Sequence, residues 1–157
     1  MELFVRSAGR LRRADKDEIL AAAAQYAAID IARERAVSPQ KMRELALKYL
    51  GPREAETFSV FWLDSRNRLI AFEELFRGTI DGAPVYPREL VKLALSRNAA
   101  AVILCHNHPS ADPEPSVADE LITKTIKRAL ELVGVRVLDR LIVGGTTILS
   151  FVERGLI

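Results

Sequence analysis

Ala101-Val102-Ile103-Leu104-Cys105-His106-Asn107-His108-Pro109 is the stretch on which the reading of this chain turns. Five apolar residues run straight into two histidines, and Pro109 ends the segment. A short apolar run without polar alternation reads as a strand buried on both faces. If the backbone stays extended at its C-terminal end, residues two apart project to one face. His106 and His108 then converge, and Cys105 points the other way as a small buried core residue.

Working outward, a Pro-rich loop follows the histidines, and a helix is expected from about Ser116 to Val133, with Gly134 just past its end. Val135 to Val143 and Thr147 to Val152 read as a hairpin around Gly144-Gly145. Upstream, Pro87 opens a helix carrying Leu90, Val91, Ala94 and Leu95 that ends near Asn98. Gly78 and Asp81-Gly82 break the pattern before it. Glu56 to Leu63 and Arg68 to Arg77 read as a hairpin across the turn Asp64-Ser65-Arg66-Asn67, its first strand buried. Ser38 caps a helix begun by Pro39, with Met42, Leu45, Ala46 and Tyr49 on its apolar stripe and Gly51-Pro52 as its stop. The order is α, β-hairpin, α, β, α, β-hairpin: a mixed sheet packed by helices, α/β or α+β.

The first 36 residues differ in character. Arg6, Arg10, Arg12 and Arg13 form a basic tail, Asp15-Lys16-Asp17-Glu18 follows, and an Ala-rich stretch predicts one helix from about 15 to 35. The tail reads as a frayed, solvated terminus, with a backbone-binding arm for nucleic acid as the sharper alternative. The expected division is residues 1–36 as tail and helix, then one domain over 37–157.

Composition narrows the class. Of 157 residues 49% are apolar and 28% charged, which fits a globular domain and excludes disordered and low-complexity classes. The formal charge of +2 neither demands nor forbids a nucleic-acid partner. A lone cysteine excludes an internal disulfide and any multi-cysteine zinc finger. The longest apolar run, Ala99 to Cys105, has seven residues, too few to span a membrane, and the start lacks a secretory h-region. A reducing, cytoplasmic setting is expected, with no membrane partner; the oligomeric state is not legible.

Both histidines of the chain lie two apart at a strand end, and Asp119 follows on the first turn of the next helix. Two imidazoles and one carboxylate form the ligand set of an open catalytic zinc site, where zinc lowers the pKa of water to about 7. Each part also has a plainer reading. The histidines satisfy nearby backbone, Ser116-Val117-Ala118-Asp119 makes a capping box with Asp in place of Glu, and Asp112, Glu114 and Asp119 serve as loop and first-turn acids. The letters His-Asn-His do not make an HNH nuclease, whose residues are spread over a larger ββα unit.

His106-Asn107-His108-Pro109, six residues, then Ser116-Val117-Ala118-Asp119 resembles the JAMM motif of MPN/JAB-domain metalloproteins. More closely, the chain resembles the RadC family from about Ser38 to Ile157. The blocks that carry this are Glu56-Thr57-Phe58-Ser59-Val60-Phe61-Trp62-Leu63-Asp64, Phe76-Arg77-Gly78-Thr79, Val85-Tyr86-Pro87-Arg88-Glu89, the His-Asn-His segment, and Val137-Leu138-Asp139-Arg140-Leu141-Ile142-Val143-Gly144. The resemblance implies an MPN/JAB-like fold, with cytidine-deaminase-like layering around a mixed sheet. It implies zinc held by His106, His108 and Asp119, with Ser116 steadying the tetrahedral intermediate. A glutamate that polarises the water sits in such folds where the first strand begins, the place of Glu56. Glu89 and the pair Glu73 and Glu74 are the alternatives.

Two positions depart from the family pattern. Ala111 stands where many members have glycine, so the loop is expected to differ slightly. Asp139-Arg140 stands where many have Asp-His, a position outside the zinc set, so metal binding is expected to survive. Longer members carry a helix-hairpin-helix region before this domain; an Ala-rich helix and an arginine tail do not supply it.

The expected function is a zinc-dependent metallohydrolase acting on a peptide or isopeptide bond of a peptide or protein substrate. A non-catalytic interaction module on the same fold is the first alternative. The second is a DNA-associated factor, whose support is the arginine tail alone. Aromatics are 6% of the chain and no aromatic-plus-basic groove for single strands is evident.

Overall fold

The computed structural model describes residues 3–7, 9–23, 38–78 and 85–157. Strands β1 (Phe4–Ser7) and β2 (Arg10–Arg13) pair antiparallel, and helix α1 is described over 16–23. The domain proper follows as α2 (Pro39–Leu50), β3 (Thr57–Leu63), β4 (Leu69–Arg77), α3 (Pro87–Ser96), β5 (Ala101–His108), α4 (Val117–Glu131), β6 (Arg136–Gly144) and β7 (Thr147–Ser150). Its five strands lie in the order β4-β3-β5-β6-β7. Only the β5–β6 pair is parallel, as a strand-helix-strand crossover through α4 requires. The mixed α/β architecture expected from the sequence is therefore the observed one.

Strand parity sorts the core into two layers. Phe61, Leu63, Ile103, Cys105, Leu141 and Val143 pack against Met42, Leu45, Ala46 and Tyr49 of α2 on one face. Phe58, Val60, Trp62, Val102 and Leu104 meet Leu90 and Ala94 of α3 and Ile126 and Leu130 of α4 on the other. Cys105 is fully buried in the first layer, as its parity predicted, and that burial pushes its thiol pKa up. Leu95, read as part of the apolar face of α3, is instead exposed.

The basic tail is not frayed. Phe4–Ser7 and Arg10–Arg13 pair, with Gly9 at φ +80°, and the two short strands satisfy each other's backbone. The expected helix begins at 16; its continuation over 24–35 lies outside the described residues, as does the break at Asp81-Gly82. The start of α1 is fastened to the domain. Arg53, buried beneath it, donates to the Asp17 carbonyl at 2.6 Å and pairs with Glu74 at 2.9 Å. A boundary at 36/37 predicts that removing residues 1–36 leaves a folded domain, since Arg53 keeps Glu74 after losing Asp17. Near-UV circular dichroism of the truncated chain checks this, and a molten spectrum would make α1 integral to the fold.

Among the described residues, no helix is long and apolar enough to cross a membrane.

Candidate metal centre at the end of strand β5

The strand expected to end at Cys105 runs on through His108, so the condition for convergence is met. His106 and His108 lie on the α3/α4 side of the sheet with their Nε2 atoms 2.9 Å apart. Asp119 arrives from the first turn of α4, Oδ1 at 3.1 Å from His106 Nε2 and Oδ2 at 3.5 Å from His108 Nε2. Glu56 immediately precedes β3. The antiparallel register sets Phe58 opposite His106, and continuing it sets Glu56 opposite His108 on the same face. Ligand-capable atoms of Glu56, His106 and His108 all lie within 4.8 Å of one another. The four side chains border a cavity of about 380 Å3 that Ser116 and Arg140 also line. An adjoining hollow of about 530 Å3 shares Glu56 and His108.

The capping box and the candidate ligand are the same residue. Ser116 Oγ accepts from the Asp119 backbone N–H at 3.1 Å, and the Ser116 N–H and hydroxyl both donate to Asp119 Oδ2, at 2.9 and 2.6 Å. The plainer reading and the sharper one thus hold together, because fixing the cap also fixes the carboxylate. Of the loop acids, Asp112 contributes its carbonyl, which accepts from His108 Nδ1 at 2.8 Å, and Glu114 pairs with Arg154.

The rival glutamates are elsewhere. Glu89 pairs with Lys92 at 3.1 Å on the surface of α3. Glu73 pairs with Arg97, and Glu74 with Arg53 and Arg77, so these strand residues are ion-paired rather than a solvated charged face.

Two contributors escaped the sequence reading. Asn107, between the histidines, points to the opposite side, where its Oδ1 accepts from Thr57 N–H at 2.8 Å and its Nδ2 donates to the Ala55 carbonyl at 3.1 Å. It thereby holds the segment that carries Glu56. Arg140 is the second. It lies two residues before Ile142, the parallel partner of His106, so parity puts it on the site's face. Its Nη2 lies 3.1 Å from both His106 Nδ1 and Asp119 Oδ1, and it is 1% exposed. The position expected to stand outside the site touches two of its members.

Ala111 has φ +65°, so the loop keeps the backbone that glycine takes freely and the alanine bears the strain. Gly144 answers a different demand: a Cβ there would lie 2.6 Å from the Pro113 nitrogen, so its absence lets the loop after His108 close onto the end of β6.

The electrostatics follow from burial. Burial, reinforced by the Arg140 charge, lowers the His106 pKa to about 4, whereas the hydrogen bond to Asp119 raises that of His108. Burial opposes ionisation of Asp119, but hydrogen bonds from His106, His108 and Ser116 hold its carboxyl well below the usual range. Burial raises the Glu56 pKa and lowers that of Arg140 to about 10, which leaves Arg140 charged at neutral pH.

The donor set fits a divalent cation. Ligands about 2.0–2.1 Å from a tetrahedral zinc stand roughly 3.3–3.4 Å apart. His106 Nε2 stands 2.9 Å from His108 Nε2 and 3.1 Å from Asp119 Oδ1, near that figure, and the other Asp119 oxygen lies 3.5 Å from His108 Nε2. His108 Nδ1 donates to the Asp112 carbonyl, the outer contact that a ligating histidine makes through the nitrogen turned away from its metal.

A family model described as RadC-like JAB domain matches residues 36–156. A "UPF0758 protein" of Nitrosococcus oceani is 58% identical over 119 residues, covering 76% of this chain and 53% of the relative. Another from Methylibium petroleiphilum is 47% identical over 154 residues, 98% of this chain and 69% of the relative. A third, from Cellvibrio japonicus, is 56% identical over 118 residues. The matched region spans about half the length of the first and third of these.

Proposed function

Since the chain belongs to the RadC-like JAB domain family, we propose that it is a metal-dependent hydrolase domain of JAMM type that cleaves a peptide or isopeptide bond. His106, His108 and Asp119 would hold a zinc ion. The observation that carries the reading is the convergence of two imidazoles and two carboxylates, from the start of β3, the end of β5 and the start of α4, on one cavity. Such convergent titratable groups with environments that separate their pKa values mark acid–base sites.

A zinc ion, when bound, makes a water acidic enough to ionise near neutral pH and polarises a substrate carbonyl. Glu56 acts as the general base and then returns the proton to the leaving nitrogen. Burial raises its pKa towards the range in which a carboxylate both takes and releases a proton. Asn107 keeps that carboxylate in register with His108 through the Thr57 and Ala55 backbone. Ser116 donates to the developing oxyanion; its hydroxyl gives up Asp119 Oδ2 to do so. The cavity and the adjoining hollow meet at Glu56 and His108, which leaves room for an extended peptide on both sides of the reacting bond. The proposed setting is cytoplasmic, with a peptide or protein as substrate. The non-catalytic alternative draws on one observation, the arginine against His106.

Elemental analysis tests the metal. After incubation with excess zinc and removal of the free ion, the wild type should retain about one zinc per chain, and His108→Ala should lose most of it. A wild type that retains none would sink the proposal. A peptide-library assay with and without chelator then tests the bond class.

A further inference from the structure

The contact with Arg140 assigns the tautomer of His106. Arg140 Nη2, which can only donate, lies 3.1 Å from His106 Nδ1, so that nitrogen must be an acceptor. The proton of a neutral His106 then sits on Nε2, from where it reaches Asp119 Oδ1 at 3.1 Å. A ligating imidazole needs the reverse, a lone pair on Nε2 and the proton on Nδ1, with an acceptor beyond it. Here a guanidinium donor stands beyond it.

Arg140 cannot easily withdraw. Its Cζ lies 5.1 Å from the Phe58 ring centroid and 5.8 Å from that of Phe151, and its Nε and Nη1 are buried without a hydrogen-bond partner. Among the described residues, the hydrogen bonds of the guanidinium run through Nη2, which neutralises Asp119 and caps His106. The geometry points to Arg140 as a resident cation of this site: it holds His106 in the tautomer that offers a metal no lone pair, and competes with a divalent ion for Asp119. The inference rests on the metal reading above and adds that this chain takes up its ion against an internal competitor, which makes Arg140 a determinant of metal affinity.

The test measures zinc affinity of the full chain at one fixed pH, by competition with a chromophoric chelator, for the wild type, Arg140→Gln and Arg140→Met. Gln removes the charge and can place an amide oxygen towards His106 Nδ1–H; Met removes the charge alone. Outer-shell partners of ligating histidines change affinity by about 10–100-fold, so Arg140→Gln should bind zinc tighter than the wild type by that factor, with Arg140→Met between them. Nitrogen-15 NMR of the metal-free wild type gives a reading that needs no variant: His106 should be protonated on Nε2 and His108 on Nδ1. A His106 protonated on Nδ1, or variants that fold yet bind zinc no tighter than the wild type, would overturn the inference. If wild type and variants bind equally well, the competitor is refuted and the metal reading stands. If none of the three takes up zinc, both fall together.

Discussion

Glu56→Gln should lower chelator-sensitive hydrolysis by about 10²–10⁴-fold while fold and zinc content stay unchanged. The substitution preserves shape and hydrogen bonding but cannot accept a proton at neutral pH. Glu56 is the only one of the four candidate glutamates within 4.8 Å of both histidines among the described residues. Its rivals are bound up in ion pairs on the strands and on α3. Glu89→Gln is therefore the control. It loses only a surface pair with Lys92, worth about 0.3–0.5 kcal/mol, and should retain full activity. Activity measured on a substrate that the wild type cleaves, together with metal content, separates the outcomes. An active Glu56→Gln would remove Glu56 as the base. Loss of zinc along with activity would make Glu56 a ligand instead.

The second large effect concerns stability. Asp119→Asn, in the metal-free protein, should destabilise the fold by about 3–5 kcal/mol, because it strands the buried Arg140 guanidinium without its counter-ion. It also disturbs the Ser116 cap. For a chain of this size each kcal/mol is worth about 2–4 °C in Tm, so the melting point should fall by roughly 6–20 °C. Acidity should have a matching effect on the wild type. The folded Asp119 carboxyl has a depressed pKa, so between that value and about 4 the unfolded chain binds more protons. The stabilisation is then fully present above about pH 4 and is lost as pH falls below it. Asp119→Asn should lose this part of the acid dependence. Chemical denaturation of both proteins at pH 7 and pH 3 measures the difference; equal stability at pH 7 would refute the role given to the carboxylate.

The sequence alone determined what depends on neighbours along the chain. Period-two projection put His106 and His108 on one face and Cys105 on the other, and both follow from an extended backbone. The order of helices and hairpins was legible because the apolar spacing, Ser38 and Ser116 as caps, Pro39 and Pro87 as helix openers and Gly134 as a stop are all local signals. The pairing of Phe4–Ser7 with Arg10–Arg13 was not, since two strands of four residues held together by backbone pairing leave little signal in the sequence.

What the tertiary structure decided is which distant residues meet those histidines. Glu56 was placed by family likeness, and the β3–β5 register supplies its physical reason, since a slip of one residue would turn it to the other face. Asn107 and Arg140 had no local signature. The first acts through the backbone of a segment some fifty residues earlier, and the second arrives on a parallel strand more than thirty residues later. Their partners are fixed by long-range register and by the crossover of α4. That information is spread over the pairing of the whole sheet, so no window of sequence around either residue contains it.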